Sequence, residues 1–218
     1  MCFSAQASFI TAAGLSIISL LSIKKTNDTK KLALAITPFI FALQQTCEGL
    51  VWLTIESGNT ATLLHRVGMY GFLFFAGTWW PIWIPLASCI PEKIHKRRKL
   101  LSSLLSIGII AGIMLFFAWT LQTTGIEIIN HHLNYPVKNY PFAIQNKYIA
   151  SGLTYIIALM YCSAIIIPLF ISSLRYMWLL GIVVSVWLLI SYVFYVGAFP
   201  SVWCFFAALS SIIIYFIV

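Results

Sequence analysis

Seven long apolar runs dominate this sequence and decide its fold class. Each is about 20 residues long, the length that an α-helix needs to cross the hydrocarbon core of a bilayer. Because lipid offers the backbone no hydrogen-bond partners, such runs must satisfy their own N–H and C=O groups, as helices do. We therefore predict an all-α, polytopic transmembrane bundle of seven helices that forms one domain over residues 1–218. The predicted spans are 5–23, 32–55, 67–90, 100–121, 148–171, 176–196 and 200–218.

The composition leaves no room for an aqueous domain. Hydrophobic residues make up 61% of the chain and charged residues only 8%, whereas about a quarter of the residues in a soluble domain are charged. The net charge of +8 would suit nucleic acid. The cations, however, are concentrated in short links between apolar runs, where they orient a membrane protein. We therefore exclude nucleic acid as a partner and expect membrane lipid instead.

The basic residues also predict the orientation of the bundle. Of the 13 Lys and Arg residues, all but Arg66, Lys138 and Lys147 follow the first, third or fifth run. Links that are rich in Lys and Arg remain in the cytoplasm. The N-terminus and the long loop 122–147 are therefore predicted to be extracytoplasmic, and the C-terminus cytoplasmic.

Proline and glycine predict local irregularity and close packing in the third and fourth runs. Pro81 removes a backbone donor and should kink its helix or free a carbonyl group. The segment 79–83 carries three indoles, which suit packing beside that kink or, alternatively, the wall of an aromatic pocket. Gly108 and Gly112 form a GxxxG pattern, which predicts a close approach between two helices.

Glu48 is a carboxylate inside the otherwise nearly uncharged second run. A charge at this depth is costly, so it needs a partner or a function. Gln44, Gln45 and Trp52 lie at helical spacing from it and share its side of the helix. Two interpretations are open: Glu48 holds neighbouring helices together through hydrogen bonds, or it anchors a functional site.

The predicted topology places most other chemically capable side chains near the extracytoplasmic end. The second run is directed outward, so Glu48 lies about two turns below the outer surface. We predict an outward-facing polar and aromatic pocket centred on Glu48 and roofed by the loop 122–147. Its ligand-binding candidates are Gln44, Gln45, Glu48, Trp52, His65, His132, Tyr135 and Trp203.

Metal binding is a further hypothesis, with His131, His132, Glu48 and Cys2 as the candidate ligands for a transition metal. Adjacent histidines point about 100° apart on a helix, so both would bind one ion only on an extended or turned backbone. Removal of Met1 would leave Cys2 with an amine and a thiol, and a disulfide between Cys2 and Cys204 is the alternative. Retinal is not expected, because the last span has no lysine.

Four sequence blocks spread over the whole chain carry a family resemblance. They are MCFSAQASF at 1–9, QQxxEGxxW at 44–52, WPxWxP at 80–85 and SxWCFF at 201–206. With these blocks the chain resembles an uncharacterised family of bacterial multi-spanning membrane proteins. The resemblance implies a multi-pass protein of the bacterial inner membrane and carries no activity with it.

Three functions remain open from the sequence. The first is a receptor, sensor or carrier that binds a small or lipophilic ligand, in which a cationic or amine group pairs with Glu48. The second is an intramembrane metal-dependent hydrolase or transferase that acts on a lipid-like substrate at the outer leaflet, with Glu48, His65 and Cys2 as catalytic candidates. The third is a structural subunit, for which replacing Glu48 by glutamine would change nothing.

Overall fold

The computed structural model describes residues 4–122, 125–129, 132–136 and 147–218. Seven of its helical spans are long and apolar enough to cross a membrane, which confirms the predicted fold class. The helices are α1 (Ala5–Lys25), α2 (Leu32–Glu56), α3 (Leu63–Leu73), α4 (Trp80–Cys89), α5 (His95–Gln122), α6 (Lys147–Ile171), α7 (Met177–Phe194), α8 (Phe199–Ser210) and α9 (Ile214–Ile217). The strands β1 (Glu127–Ile129) and β2 (His132–Asn134) form an antiparallel hairpin between α5 and α6.

Two spans are interrupted and two begin earlier than predicted. A π-helical segment, Phe74–Trp79, joins α3 to α4, and a 3₁₀ turn, Ser211–Ile213, joins α8 to α9. The third span starts at Leu63 because the polar residue before it caps the helix: the Thr62 side chain accepts a hydrogen bond from His65 N. The fourth span starts at His95, so several basic residues that the sequence placed in a link belong to the first turns of α5.

The alternating spans place the links at two opposite ends of the bundle. The basic end carries the links 26–31, 90–94 and 172–176 together with Val218. The hairpin end carries the start of α1, the link 57–62, the β1–β2 hairpin and the link 195–198.

Lys25, the last residue of α1, and Lys31, the last residue of the following link, hold the C-terminal helix at the basic end. Lys25 Nζ donates a 2.6 Å hydrogen bond to Tyr215 O, and Lys31 Nζ donates to Ile217 O at 3.2 Å. The last carbonyl groups of a helix have no partner within the helix, and the partial negative charge there favours a cation. These two lysines therefore satisfy carbonyl groups of α9 and neutralise its end.

A second carboxylate, Glu92, joins two other links at the basic end. It is only 4% exposed and accepts hydrogen bonds from Ile94 N (2.9 Å), Ser173 N (2.8 Å) and Ser173 Oγ (2.8 Å). Burial by itself raises the pKa of Glu92, but these hydrogen bonds and the charge of Arg97 outweigh it, so the pKa lies below its ordinary value. The α4–α5 link is thereby held to the α6–α7 link.

The π-helical segment and Pro81 together leave one carbonyl group without a partner in its own helix. Trp80 N bonds to Phe75 O, so Ala76 O would next accept from residue 81, which is a proline without an N–H. Tyr161 OH of α6 donates a hydrogen bond to Ala76 O instead. The irregularity that the sequence predicted is thus compensated by a side chain from another helix.

We expect Tyr161→Phe to lower the free energy of unfolding by about 1–3 kcal/mol, because it leaves the buried Ala76 carbonyl unsatisfied. The measurement is thermal or denaturant-induced unfolding of the purified protein in detergent. Tyr155→Phe is the matched control, since Tyr155 lies on the same helix and is 75% exposed. Equal stability of the two variants would show that the hydrogen bond contributes nothing.

The predicted close approach at the GxxxG pattern is present between α5 and α4. A Cβ at Gly108 would overlap Pro81 O, and a Cβ at Gly112 would lie 2.9 Å from Thr78 O. Thr78 Oγ1 also donates a 3.1 Å hydrogen bond to Gly112 O. The two glycines therefore let α5 pack directly against the backbone around the π-helical segment.

Candidate functional site

Glu48 points into the bundle and is completely buried. Ser201 Oγ of α8 donates a hydrogen bond to Glu48 Oε1, and Gln45 Nε2 donates to Glu48 Oε2 at 3.4 Å. Ser201 lies in the first turn of α8, where unpaired backbone N–H groups carry a partial positive charge that favours an anion. The described hydrogen-bond partners of this carboxylate are therefore two neutral side chains.

Gln44 lies one turn from Glu48, toward the basic end, and joins α2 to α4. Its Oε1 accepts a 2.7 Å hydrogen bond from Trp80 Nε1, and the indole of Trp80 stacks on Phe41 with the ring centroids 3.7 Å apart. The thiol of Cys204 lies next to the Gln44 side chain and close enough to Glu48 to interact with its charge. The side chain of Gln44 therefore lies between Glu48 and the aromatic residues Trp80 and Phe41.

Three polar atoms near the carboxylate have no hydrogen-bond partner among the described residues. They are Gln44 Nε2, Gln45 Oε1 and Trp52 Nε1, and all three are buried. Trp52 is one turn from Glu48 on the same side of α2, toward the hairpin end. Buried polar groups without a protein partner are few in native structures and are commonly accounted for by water, an ion or a ligand. The surroundings of Glu48 can therefore accept one further polar group.

The β1–β2 hairpin covers the residues around Glu48 at the hairpin end of the bundle. Leu133 is fully buried, and Tyr135 stacks on Phe72 of α3 with the ring centroids 5.0 Å apart. Both belong to one apolar cluster with Trp52 and Cys204. The described part of the predicted loop is consequently packed onto the helices as a cap above Glu48.

An apolar cavity of about 40 Å³ lies on the other side of Gln44, toward the basic end. Its walls come from α2, α4, α6, α7, α8 and α9, and they include Phe41, Trp80, Tyr161, Trp203 and Cys204. Glu48 is not among its lining residues, so this cavity differs from the predicted outward-facing pocket centred on the carboxylate. The two carboxylate oxygens of Glu48 are instead hydrogen-bonded to Ser201 and Gln45.

The predicted site residues are therefore only partly brought together. Gln44, Gln45, Glu48 and Trp52 form one group, as their spacing indicated. Trp203 belongs to the apolar cavity, and its Nε1 donates a 3.4 Å hydrogen bond to the backbone oxygen of α7 residue Val184.

His65 has a local partner on α2. Its Nδ1 shares a 2.8 Å hydrogen bond with Thr54 Oγ1, six residues beyond Glu48 and thus about 9 Å further along the helix. The histidine is 7% exposed and holds the start of α3 against the end of α2. This contact accounts for its burial without any contribution from the carboxylate.

The metal candidates lie in different places. His132 is buried in the cap and packs edge-on against Tyr195, with 5.1 Å between the ring centroids. Cys2 and His131 lie outside the described residues. Cys204 is a free, buried thiol, so the alternative of a Cys2–Cys204 disulfide is not borne out. Within the described part of the chain, no three His, Cys, Asp or Glu side chains are grouped as a metal site would require.

Ser201, Trp80 and Tyr161 are the residues that sequence reasoning did not place at the site. Ser201 and Trp80 both fall in the sequence blocks that carry the family resemblance, which was the available signal. A family model covers the chain from residue 1 to residue 218, and its description is a family of unknown function, DUF6629. The chain belongs to this family. No curated protein and no solved structure matches it.

Proposed function

We propose that this protein binds a lipophilic molecule with a basic group, and that Glu48 holds the basic group. One observation carries the proposal: a fully buried carboxylate whose described hydrogen-bond partners, Ser201 and Gln45, are both neutral. In a medium of low dielectric constant, a cation is a much stronger partner for such a group than a neutral donor. The protein would act as a receptor, sensor or carrier.

The surroundings of Glu48 suit a protonated amine. The indole of Trp52 lies one turn away on the same side of α2, where its face can attract a cation. Gln45 Oε1 is a buried acceptor without a described partner and can take one of the three N–H donors of an ammonium group. Apolar residues and the hairpin cap surround these groups, so water would compete weakly for the amine.

The concentration of cations at the basic end supports a proposed orientation. That end would face the cytoplasm and the hairpin end would face outward, in the inner membrane of a bacterium. The ligand would then reach Glu48 from the outer half of the bilayer or past the hairpin cap.

The test compares dodecylamine with dodecanol as probes for the purified protein in phosphatidylcholine nanodiscs. We expect dodecylamine to bind the wild type with a lower apparent Kd, because only the amine forms a charged pair. Glu48→Gln keeps the size of the side chain but removes the charge, and it should weaken amine binding at least ~10-fold, equivalent to ~1.4 kcal/mol. Binding of the alcohol should be unchanged.

Glu56→Gln is the matched control, since it makes the same chemical change at an exposed position on the same helix. It should bind the amine as the wild type does. Equal amine affinity of Glu48→Gln and the wild type would overturn the proposal.

The Ser201–Glu48 contact also has the form of a nucleophile beside a base. Covalent labelling of Ser201 by a fluorophosphonate would therefore favour the hydrolase or transferase instead.

A further inference from the structure

We infer that the basic end binds the head group of an anionic phospholipid, at the place where the α4–α5 link meets the α6–α7 link. Arg97 and Arg175 are the residues that would hold its phosphate. The inference goes beyond the proposed function and does not depend on it, because it does not involve Glu48. The occupant is a lipid whose phosphate charge is not compensated by a cation within its own head group.

The basic end carries far more positive than negative charge. Five cations stand close together in the sequence, at position 93 and at 96–99, and Arg175 belongs to the α6–α7 link. Of the five acidic residues, only Asp28 and Glu92 lie at this end. Glu92 is the acidic residue of the α4–α5 link, and it is buried by its hydrogen bonds to both links. It can compensate only one of these six positive charges.

The start of α5 adds to this imbalance. The first turn of a helix carries a partial positive charge, so acidic residues are favourable there and basic residues are not. The helix has no acidic residue in its first turn, and four consecutive cations, 96–99, follow His95. Within the described part of the chain, Lys96, Arg98 and Lys99 form no ion pair. An anion supplied from outside the chain would therefore reduce the repulsion.

Ser173 brings the two arginines together. Arg97 Nη1 donates a 2.9 Å hydrogen bond to Ser173 Oγ, which uses one of the five N–H donors of this guanidinium group. Arg175 is two residues beyond Ser173, so the two Cα atoms are at most about 7 Å apart. The guanidinium group of Arg175 lies over the ring of Tyr176, 4.7 Å from its centroid. Both arginines are exposed, and their remaining N–H groups can bind phosphate oxygens through parallel hydrogen bonds.

Exposed apolar side chains next to these cations favour a lipid over a soluble anion. Ile94 and Leu100 flank the cations of α5 in sequence, Phe170 and Trp178 flank the α6–α7 link, and all four are exposed. A tryptophan beside charged residues at the end of a span is typical of the membrane interface. A phosphate bound there would leave the acyl chains of its lipid beside the apolar surface of the spans, which a soluble anion would not use.

The connection between α1 and α2 lies at the same end of the bundle and provides an internal comparison. Lys25 and Lys31 donate to carbonyl groups of α9, so their charges already have partners. Lys24 and Lys30 are exposed, but this connection contains no arginine and has an acidic residue of its own, Asp28. We therefore expect the lipid at the arginines and not at these lysines.

The experiment measures binding of dioleoylphosphatidylglycerol and dioleoylphosphatidylcholine to the purified protein in detergent by native mass spectrometry. Both lipids carry a phosphate, but the choline group of the second compensates its charge. We expect the wild type to bind phosphatidylglycerol at least ~10-fold more tightly than phosphatidylcholine. Arg97→Gln combined with Arg175→Gln should weaken phosphatidylglycerol binding at least ~10-fold, because both guanidinium groups are removed.

Lys24→Gln combined with Lys30→Gln is the matched control, since it removes the same charge from exposed positions at the same end of the bundle. It should bind phosphatidylglycerol as the wild type does. An equal loss of affinity in the two double variants would show that the lipid is attracted only by overall charge, and it would overturn the inference. Wild-type affinity of the arginine double variant would overturn it as well.

Arg175→Gln alone replaces the arginine double variant if the latter does not fold. It keeps the hydrogen bond between Arg97 and Ser173, and it should weaken phosphatidylglycerol binding at least ~3-fold. Glycerophosphoglycerol, the same head group without acyl chains, tests for a soluble anion. It should compete only weakly with the lipid. If it binds as tightly as phosphatidylglycerol, the occupant is a soluble anion and the inference is overturned.

Discussion

Gly108→Ala should lower the free energy of unfolding by about 3 kcal/mol or more, since the added methyl group would overlap the Pro81 carbonyl oxygen. That oxygen belongs to the backbone at the start of α4, so it cannot move aside as a flexible side chain would. To make room, α5 has to separate from α4 and from the π-helical segment that precedes it. The measurement is the unfolding transition of the purified variant in detergent, together with its yield from the membrane.

Gly152→Ala is the control for the loss of stability. Gly152 is on the exposed surface of α6, and a Cβ there would meet nothing within 4 Å. Because alanine favours a helix over glycine by up to ~1 kcal/mol, this variant should be as stable as the wild type or slightly more stable. The stability of Gly112→Ala should lie between those of Gly108→Ala and Gly152→Ala, since its Cβ would lie 2.9 Å from Thr78 O. Wild-type stability of Gly108→Ala would mean that α4 and α5 are not in direct backbone contact.

Glu92→Ala is expected to lower the free energy of unfolding by about 2–3 kcal/mol. The substitution removes the acceptor for Ile94 N, Ser173 N and Ser173 Oγ, and hydrogen bonds to a charged group contribute more than neutral ones. It also releases the α4–α5 link from the α6–α7 link at the basic end. The exposed Glu56 supplies the comparison, and Glu56→Ala should change stability by less than ~0.5 kcal/mol.

The pH dependence provides a second test of the same contact. The pKa of Glu92 in the folded protein lies below its ordinary value, which for an unfolded glutamate is about 4.3. The stability from the carboxylate is therefore complete above that pH and is lost as the pH falls through the folded pKa. The difference between the wild type and Glu92→Ala should shrink in acid. A difference that grows in acid would contradict this assignment.

The residues around Glu48 show how much of a site can be predicted from the spacing of residues along one helix. The positions of Gln44, Gln45 and Trp52 relative to Glu48 follow from 3.6 residues per turn, so their grouping was predictable. The partner from α8, Ser201, is 153 residues away in sequence. Its contact with Glu48 depends on how α2 and α8 are rotated and how deeply they pack, and no periodicity within either helix contains that information.

His65 shows a limit of the predicted topology, which placed it at the same end of the bundle as Glu48 but did not identify the residue that it contacts. The chain turns at the hairpin end between Glu56 and Leu63, so α3 starts beside the end of α2 and not beside its middle. The first residues of α3 therefore meet Thr54, which is about 9 Å further along α2 than Glu48. The rise along α2 between residues 48 and 54 therefore separates the contact of His65 from Glu48.

The sequence alone determined the membrane bundle, its seven spans and the burial of an acidic residue within the second. These follow from the length of the apolar runs and from the cost of exposing backbone or charge to lipid. Only the tertiary structure decided that Ser201 is the partner of Glu48, that Tyr161 satisfies the carbonyl freed beside Pro81, and that the cavity lies toward the basic end. Each of these depends on contacts between different helices, which are set by side-chain packing across the whole bundle and not by any local pattern.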